Sequence, residues 1–376
     1  MQSELIVLSH LRWDWVWQRP QHLVSRLGSG CSTWYVEEPL TPAGFTGKNR
    51  LNHMRCDGLN RAWLEIPEQG HHVGFSDQVL PDYISQLPAL LGKPGPERIV
   101  WMYTPLALEL ALALQPTTLV YDVMDDLAAF KDAAPELVVR QRQALRRADI
   151  VFAGGRSLHR SIVRQGRTDA LLYPSGVEPE HYRIPTAGPR QAGTRPVAGY
   201  VGVLDERLDL RLIADLAGAL PDWEVRMYGP VAKIDPASLP QAPNITYAGF
   251  TSYADLPAAM AGLDVALMPF ALNEATRSIS PTKTLEYLAA GLPVVSTRVP
   301  DVVADFPGAV HLRDGAAGFA ALCRQLGQRD PSQRPAAQTR ELLRKYHWDV
   351  IAGGMAADVF NSKLKRLEPA EAGATA

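Results

Sequence analysis

The pair of residues from which a chemistry can be read is Lys283 and Glu286. They stand three positions apart in Ser280-Pro-Thr-Lys-Thr-Leu-Glu-Tyr-Leu-Ala-Ala-Gly-Leu-Pro-Val-Val-Ser-Thr297. If a helix opens at Ser280, Lys283 lies in its first turn, where the positive end of the dipole disfavours a cation. A bound anion reverses that sign, because a helix N-terminus with a lysine makes a phosphate site. Ser280 and Thr282 belong to that N-terminus. Glu286 shares the face of Lys283, and its carboxylate could accept both hydroxyls of a ribose carried by the same phosphate. An exposed Lys–Glu pair on an ordinary helix is the alternative.

Two further clusters carry chemical groups. His10-Leu-Arg-Trp-Asp-Trp-Val-Trp-Gln-Arg-Pro-Gln-His22 follows an apolar run at Leu5–Ser9, which reads as a buried parallel strand. Such a loop leaves the carboxyl end of a strand, where α/β sheets bind ligands. Aromatic faces stack on sugar rings, so Trp13 and Trp15 are candidates for an acceptor site. Arg19, Gln21 and His22 could bond hydroxyls or phosphate there, and His10 is a catalytic candidate. The competing reading places Trp13 and Trp17 in the core. The second cluster is Tyr121-Asp-Val-Met-Asp-Asp126 at the end of another strand. Clustered carboxylates repel and one can acquire a raised pKa, which makes Asp122 or Asp125 a candidate base. Capping of the following helix by Asp125 or Asp126 is the plainer alternative.

These groups need a scaffold, and the punctuation of the chain supplies one. Ser280 is a good N-cap, Pro281 suits the first helical position, and Leu285, Leu288 and Ala289 form an apolar stripe. Gly291 and Pro293 stop the helix, and Val294 and Val295 begin a strand. Strands at Thr33–Glu37, Trp63–Ile66, Arg98–Tyr103, Thr118–Val123 and Asp149–Ala153 alternate with helices over 76–91, 106–114 and 135–148. The segment 39–60 reads as a long loop that could form part of an acceptor site. Between Pro174 and Pro196 the composition turns to Pro, Gly and polar residues, a domain boundary. Strand and helix then alternate again from Val197, with Asn273 and Thr276 on a loop. The fold class is therefore α/β, with two Rossmann-like, doubly wound parallel-sheet domains. Residues 1–180 form the first domain and 181–345 the second. A helix spans 346–368, and 369–376 is a disordered tail.

Composition excludes several classes. The 376 residues carry 38 Lys and Arg against 40 Asp and Glu, net −2, so no global basic field exists for nucleic acid. Cys31, Cys56 and Cys323 are scattered and odd in number, against a disulfide framework or zinc site, and a reducing cytoplasm fits them. The N-terminus lacks a basic leader segment, and no apolar run approaches the roughly 20 residues of a spanning helix. No G-x-G-x-x-G follows either opening strand; Gly199 and Gly202 alone do not make a dinucleotide site. No Asp-x-Asp pair is present.

The motif around Glu286 resembles the donor site of GT-B glycosyltransferases, specifically the family-four-like enzymes that use nucleotide sugars. The Glu before "hydrophobic-Ala-x-Gly-x-Pro-Val-Val" holds the nucleotide ribose there, and Glu286 matches it. A second Glu eight residues earlier is Ser278 here. Arg207 falls near the basic residue those enzymes place on the donor diphosphate, beside Gly202, although the usual first Arg is Val203. His10–His22 is similar to the "WDxVWQRPQHL" opening of bacterial glycosyltransferases of cell-surface polysaccharide and teichuronic-acid-type gene sets. Tyr121–Phe130 matches their "YDxMDxLxxF", and Pro174–Tyr182 resembles the "P-N-G-V-D-x-x-x-F" crossing between GT-B domains. The resemblance implies a GT-B fold with an interdomain cleft and a C-terminal helix crossing back to the first domain. It also implies transfer from a nucleotide diphosphate sugar, a UDP-sugar, to a carbohydrate or lipid-linked acceptor. The nucleotide sugar is then a substrate, with no separate cofactor or metal. The expected setting is the cytoplasm, with peripheral contact at the inner face of the membrane. Two alternatives stay open: a nucleotide-sugar epimerase of the same fold, and a catalytically silent nucleotide-sugar-binding protein.

Overall fold

In a computed structural model, residues 3–68, 74–129, 133, 135–183, 194–279, 282–328 and 337–367 are described, with side chains to residue 360. The chain folds into two lobes, each built on its own sheet. The first contains β1 (Glu4–Ser9), β2 (Ser32–Glu37), β3 (Arg50–Cys56), β4 (Leu59–Glu65), β5 (Arg98–Met102), β6 (Thr118–Val123), β7 (Ile150–Ala153) and β8 (Leu171–Leu172). Their order is β3-β4-β2-β1-β5-β6-β7-β8. Every pairing is parallel except β3 with β4. β1, β5, β6 and β7 are buried throughout, as continuous apolar strands covered on both faces must be.

The second sheet holds β9 (Val197–Val201), β10 (Glu224–Tyr228), β11 (Ile245–Gly249), β12 (Val265–Met268), β13 (Val294–Ser296) and β14 (His311–Leu312). The order β11-β10-β9-β12-β13-β14 is wholly parallel. It reverses between β9 and β12, the switch point at which such sheets open a ligand crevice beyond their strand ends. One apolar cluster fills this lobe, and two others cover the two faces of the first sheet.

The final helix, Trp348–Leu367, leaves the second lobe and packs on the first. Trp348, Ile351, Met355 and Val359 join a cluster with Leu5, Val7, Leu23 and Tyr35. The lobes also meet where the N-terminus of helix Arg156–Arg164 receives a buried carboxylate. The Ser157 N–H and hydroxyl donate to Asp301 Oδ1 at 3.1 and 2.5 Å.

One element departs from the sequence reading. The segment 39–60 is not a single loop, because β3 forms an antiparallel hairpin with β4. Its turn is Asp57-Gly58, with φ of 48° and 80°, the two-residue pattern whose backbone twist matches paired strands. A second departure is small: Glu274–Arg277 is a helical turn capped by Asn273, whose side chain accepts from Thr276 N–H.

Candidate active site

The floor of the cleft is made by the second lobe. β9 ends at Val201, and Gly202 follows with φ 151°. The helix Thr282–Ala289 stands over that turn. It is fastened by Tyr287, whose hydroxyl accepts from Val201 N–H at 2.8 Å and donates to Val201 C=O at 3.3 Å. Lys283 and Glu286 therefore project at the carboxyl end of β9. Lys283 Nζ lies 5.6 Å from the centroid of the Tyr200 ring. A Cβ on Gly202 would come within 2.2 Å of that ammonium, so the absence of a side chain at 202 is what lets Lys283 occupy this place. Arg207 enters the same space, its guanidinium oriented by Asp205 with Nη2–Oδ2 of 2.6 Å.

The roof belongs to the first lobe. Trp15–Arg19, His22, Met124, Asp125 and Ser175 line a cleft against Gly202, Arg207, Phe250, Tyr253, Thr282, Lys283 and Glu286. Trp15 is 54 % exposed and faces Phe250, 55 % exposed, with ring centroids 6.3 Å apart across the opening. Deeper in, Trp17 stacks on Tyr253 at 5.6 Å.

Electrostatics follow from this enclosure. Burial draws the Lys283 pKa below the usual lysine range, against the opposing pull of Glu286. Burial also raises the Glu286 carboxyl, with Lys283 acting the other way. Asp125 is raised by burial and held back by Arg207 and His10. Two cations and a helix N-terminus thus converge on one point of the crevice, an arrangement suited to a diphosphate.

The candidates read from sequence divide accordingly. Thr282, Lys283, Glu286, Arg207, Gly202, Asp125, Trp15, Arg19 and His22 line the cleft. Ser280 lies outside the described residues. Asp122 does not line it: the carboxylate is fully buried and held in a two-pronged pair with Arg19, Nε–Oδ2 and Nη2–Oδ1 both 2.9 Å. A base must reach substrate, so that role is corrected for Asp122. Arg19 spends its remaining nitrogen on the carbonyl of Tyr173 at 2.8 Å, so although it borders the cleft its guanidinium is committed to holding the lobe together. Trp13 is core, 4 % exposed, packed on Tyr35 and Trp17 and donating to Asp57 Oδ2 at 2.7 Å. Gln21 is fully buried and builds the loop, its amide donating to Arg12 and Val16 carbonyls at 3.0 and 3.3 Å. His22 is stacked on Trp348 at 4.8 Å, and burial takes its pKa down to about 3, so it is neutral. His10 sits beside Asp125 and Lys233 but off the cleft lining. Sequence reasoning missed Phe250, Thr251 and Tyr253, which arrive from a loop with no motif of its own.

This geometry has counterparts. Residues 195–329, within the second lobe, match the family described as Glycosyl transferases group 1. Over 224 residues the chain is 25 % identical to the glycosyltransferase TuaH of Bacillus subtilis (strain 168), assigned to teichuronic acid biosynthesis, with 55 % of each chain covered. The match thus spans about half the length of that curated relative. Among solved structures, the α,α-trehalose-phosphate synthase (UDP-forming) of Burkholderia xenovorans in complex with glucose-6-phosphate superposes with a TM-score of 0.71. It is 14 % identical over 95 % of this chain and 100 % of that one. The sucrose-phosphate synthase of Thermosynechococcus elongatus gives 0.68 at 15 % identity, over 97 % of this chain and 100 % of that one. Anabaena HepE, in complex with UDP and glucose, gives 0.67 at 13 % identity over the same shares. The fold is GT-B: two Rossmann-like lobes facing a cleft.

Proposed function

We propose that this chain transfers a sugar from a nucleotide diphosphate sugar, most simply a UDP-sugar, to a carbohydrate or lipid-linked acceptor in surface polysaccharide synthesis. The observation that carries the reading is the meeting of Lys283, Arg207 and the Thr282 helix end over Gly202, with Glu286 one turn away. In the transfer, the bond from the anomeric carbon to the diphosphate oxygen breaks as the acceptor oxygen bonds to that carbon. The leaving diphosphate gains charge, which preorganised cations stabilise most in an enclosed site. Lys283, Arg207 and about half a charge from the helix dipole supply what a divalent ion supplies elsewhere. Glu286 holds the ribose, and Asp125, on the opposite lobe, stands where it can take the acceptor's proton or face the reacting sugar. UDP bound to HepE and the name of TuaH support the nucleotide and the polysaccharide setting.

The test is turnover of UDP-sugars on acceptor extracts in excess chelator. Activity should persist there, and Lys283→Ala should lose it even with magnesium present. A wild-type enzyme dead in chelator and restored by magnesium or manganese overturns the charge assignment. A second reading, donor binding without turnover, is favoured by one feature, the buried Ser278 where a sugar-contacting Glu is usual; donor binding with no product on any acceptor would establish it.

For a lipid-linked acceptor, peripheral membrane contact fits the helix Glu136–Arg147. Val138 and Val139 are 44 and 56 % exposed, on the same outer face as exposed Arg142 and Arg146. No helix among the described residues is long and apolar enough to cross a membrane. Cosedimentation with anionic vesicles, abolished in Arg142→Glu with Arg146→Glu, is the expected result; equal sedimentation of the variant removes this face from consideration.

A further inference from the structure

Tyr182 ends the segment that joins the two lobes. It is 1 % exposed, yet its hydroxyl makes no hydrogen bond of ordinary length and angle, although Glu286 and Tyr253 lie close enough to feel it. A buried hydroxyl left unpaired is costly, and its surroundings show where a partner would appear. The ring is wedged edge-on against His181 at 4.9 Å and Tyr253 at 6.2 Å. The hydroxyl lies next to the Glu286 carboxylate and the Tyr253 hydroxyl. Tyr253 is already committed, donating its proton to Glu178 Oε2 at 2.5 Å. Glu178 in turn accepts from Arg26 of the first lobe at 2.6 Å, and His181 stacks on Tyr253 at 4.0 Å. Every polar neighbour but one therefore has its bonds assigned. The acceptor still open to a Tyr182 donor is Glu286.

We propose that Tyr182 is a positioning residue for Glu286: when the carboxylate engages the ribose hydroxyls of the donor, the Tyr182 hydroxyl donates to it and fixes its orientation. This rests on the reading of Glu286 as the ribose acceptor. It also gives the crossing segment a part in donor recognition, since that segment supplies a bond completed on donor binding. A carboxylate that accepts two ribose hydroxyls has lone pairs left over. A donor fixed behind it keeps those oxygens aimed at the ligand rather than turned toward Lys283. The family-like crossing motif places Phe at this position, so Tyr182→Phe removes the hydroxyl and nothing of the packing.

The experiment compares UDP with its 2′,3′-dideoxyribose analogue by calorimetry on the full chain. In wild type, UDP should bind at least tenfold more tightly than the analogue. Tyr182→Phe should weaken UDP about fivefold and leave the analogue unchanged, because the hydroxyl acts only through the carboxylate–ribose bonds. A merely structural role would weaken both ligands alike. Tyr182→Phe with full discrimination, or with equal losses for both ligands, overturns the proposal. Glu286→Gln tests the reading beneath it. Discrimination kept in Glu286→Gln removes the ribose assignment, and the proposal with it. Discrimination lost in Glu286→Gln but intact in Tyr182→Phe removes Tyr182 alone.

Discussion

Gly202→Ala is the substitution through which the charge assignment can be measured. An added Cβ would lie 2.1 Å from Cε and 2.2 Å from Nζ of Lys283, and 3.1 Å from the Tyr200 hydroxyl. To reach ordinary van der Waals contact, near ~3.5 Å, the ammonium must withdraw by roughly 1.3 Å. For a diphosphate of about two charges, moving one cation from about 4 to about 5.3 Å at an effective dielectric of ~20 weakens attraction by about 2 kcal/mol. That is roughly a 30-fold loss of affinity. The backbone contributes separately: φ of 151° is glycine territory, and an alanine forced there costs about 1–3 kcal/mol of folding stability.

The two effects separate by assay. Strain lowers Tm by a few degrees with or without ligand, whereas the displaced charge appears only in UDP affinity. A double-mutant cycle isolates the cause. If alanine at 202 acts by moving Lys283, it should cost little further affinity in a Lys283→Ala background. An equal loss in both backgrounds would mean that the glycine itself meets the ligand. Unchanged UDP affinity in Gly202→Ala would refute the placement of the diphosphate here.

Asp125→Asn should lower turnover by about 10²–10⁴ with Tm nearly unchanged, the scale of general-base loss. Asp122→Asn should instead lower stability by about 3–5 kcal/mol, because it strands the Arg19 charge in the interior, with both seen in thermal melts and rate assays. Trp15→Ala should spare UDP binding and Tm while reducing turnover; Trp13→Ala should destabilise the first lobe by about 3–5 kcal/mol. A Trp15→Ala variant that unfolds would return this residue to the core.

Local chemistry was legible where it repeats on the period of one element. The helix Thr282–Ala289 and its stop at Gly291 could be read because stripe and breaker fall within one short stretch. The alternation of strands and helices gave the two sheets for the same reason. The hairpin β3–β4 was missed because an edge strand buries little. Arg50–Cys56 is largely exposed and carries no apolar alternation, so its only signal was the Asp57-Gly58 turn.

The division among Trp13, Trp15, Arg19, Gln21 and Asp122 was not available from sequence, and the reason is physical. A polar side chain near a strand end can face ligand or hold the loop that faces it, and both uses select the same residue types. What decides is a partner distant in the chain. Arg19 meets Asp122 across 103 positions, and that pair ties the start of the helix Arg19–Leu27 to the end of β6. Gln21 bonds carbonyls on both sides of Trp15, and Trp13 anchors the loop to the β3–β4 turn through Asp57. Three of the expected acceptor ligands therefore act one step back. By consuming their own polarity inside the lobe, they leave Trp15 and Asp125 among the groups presented to the cleft.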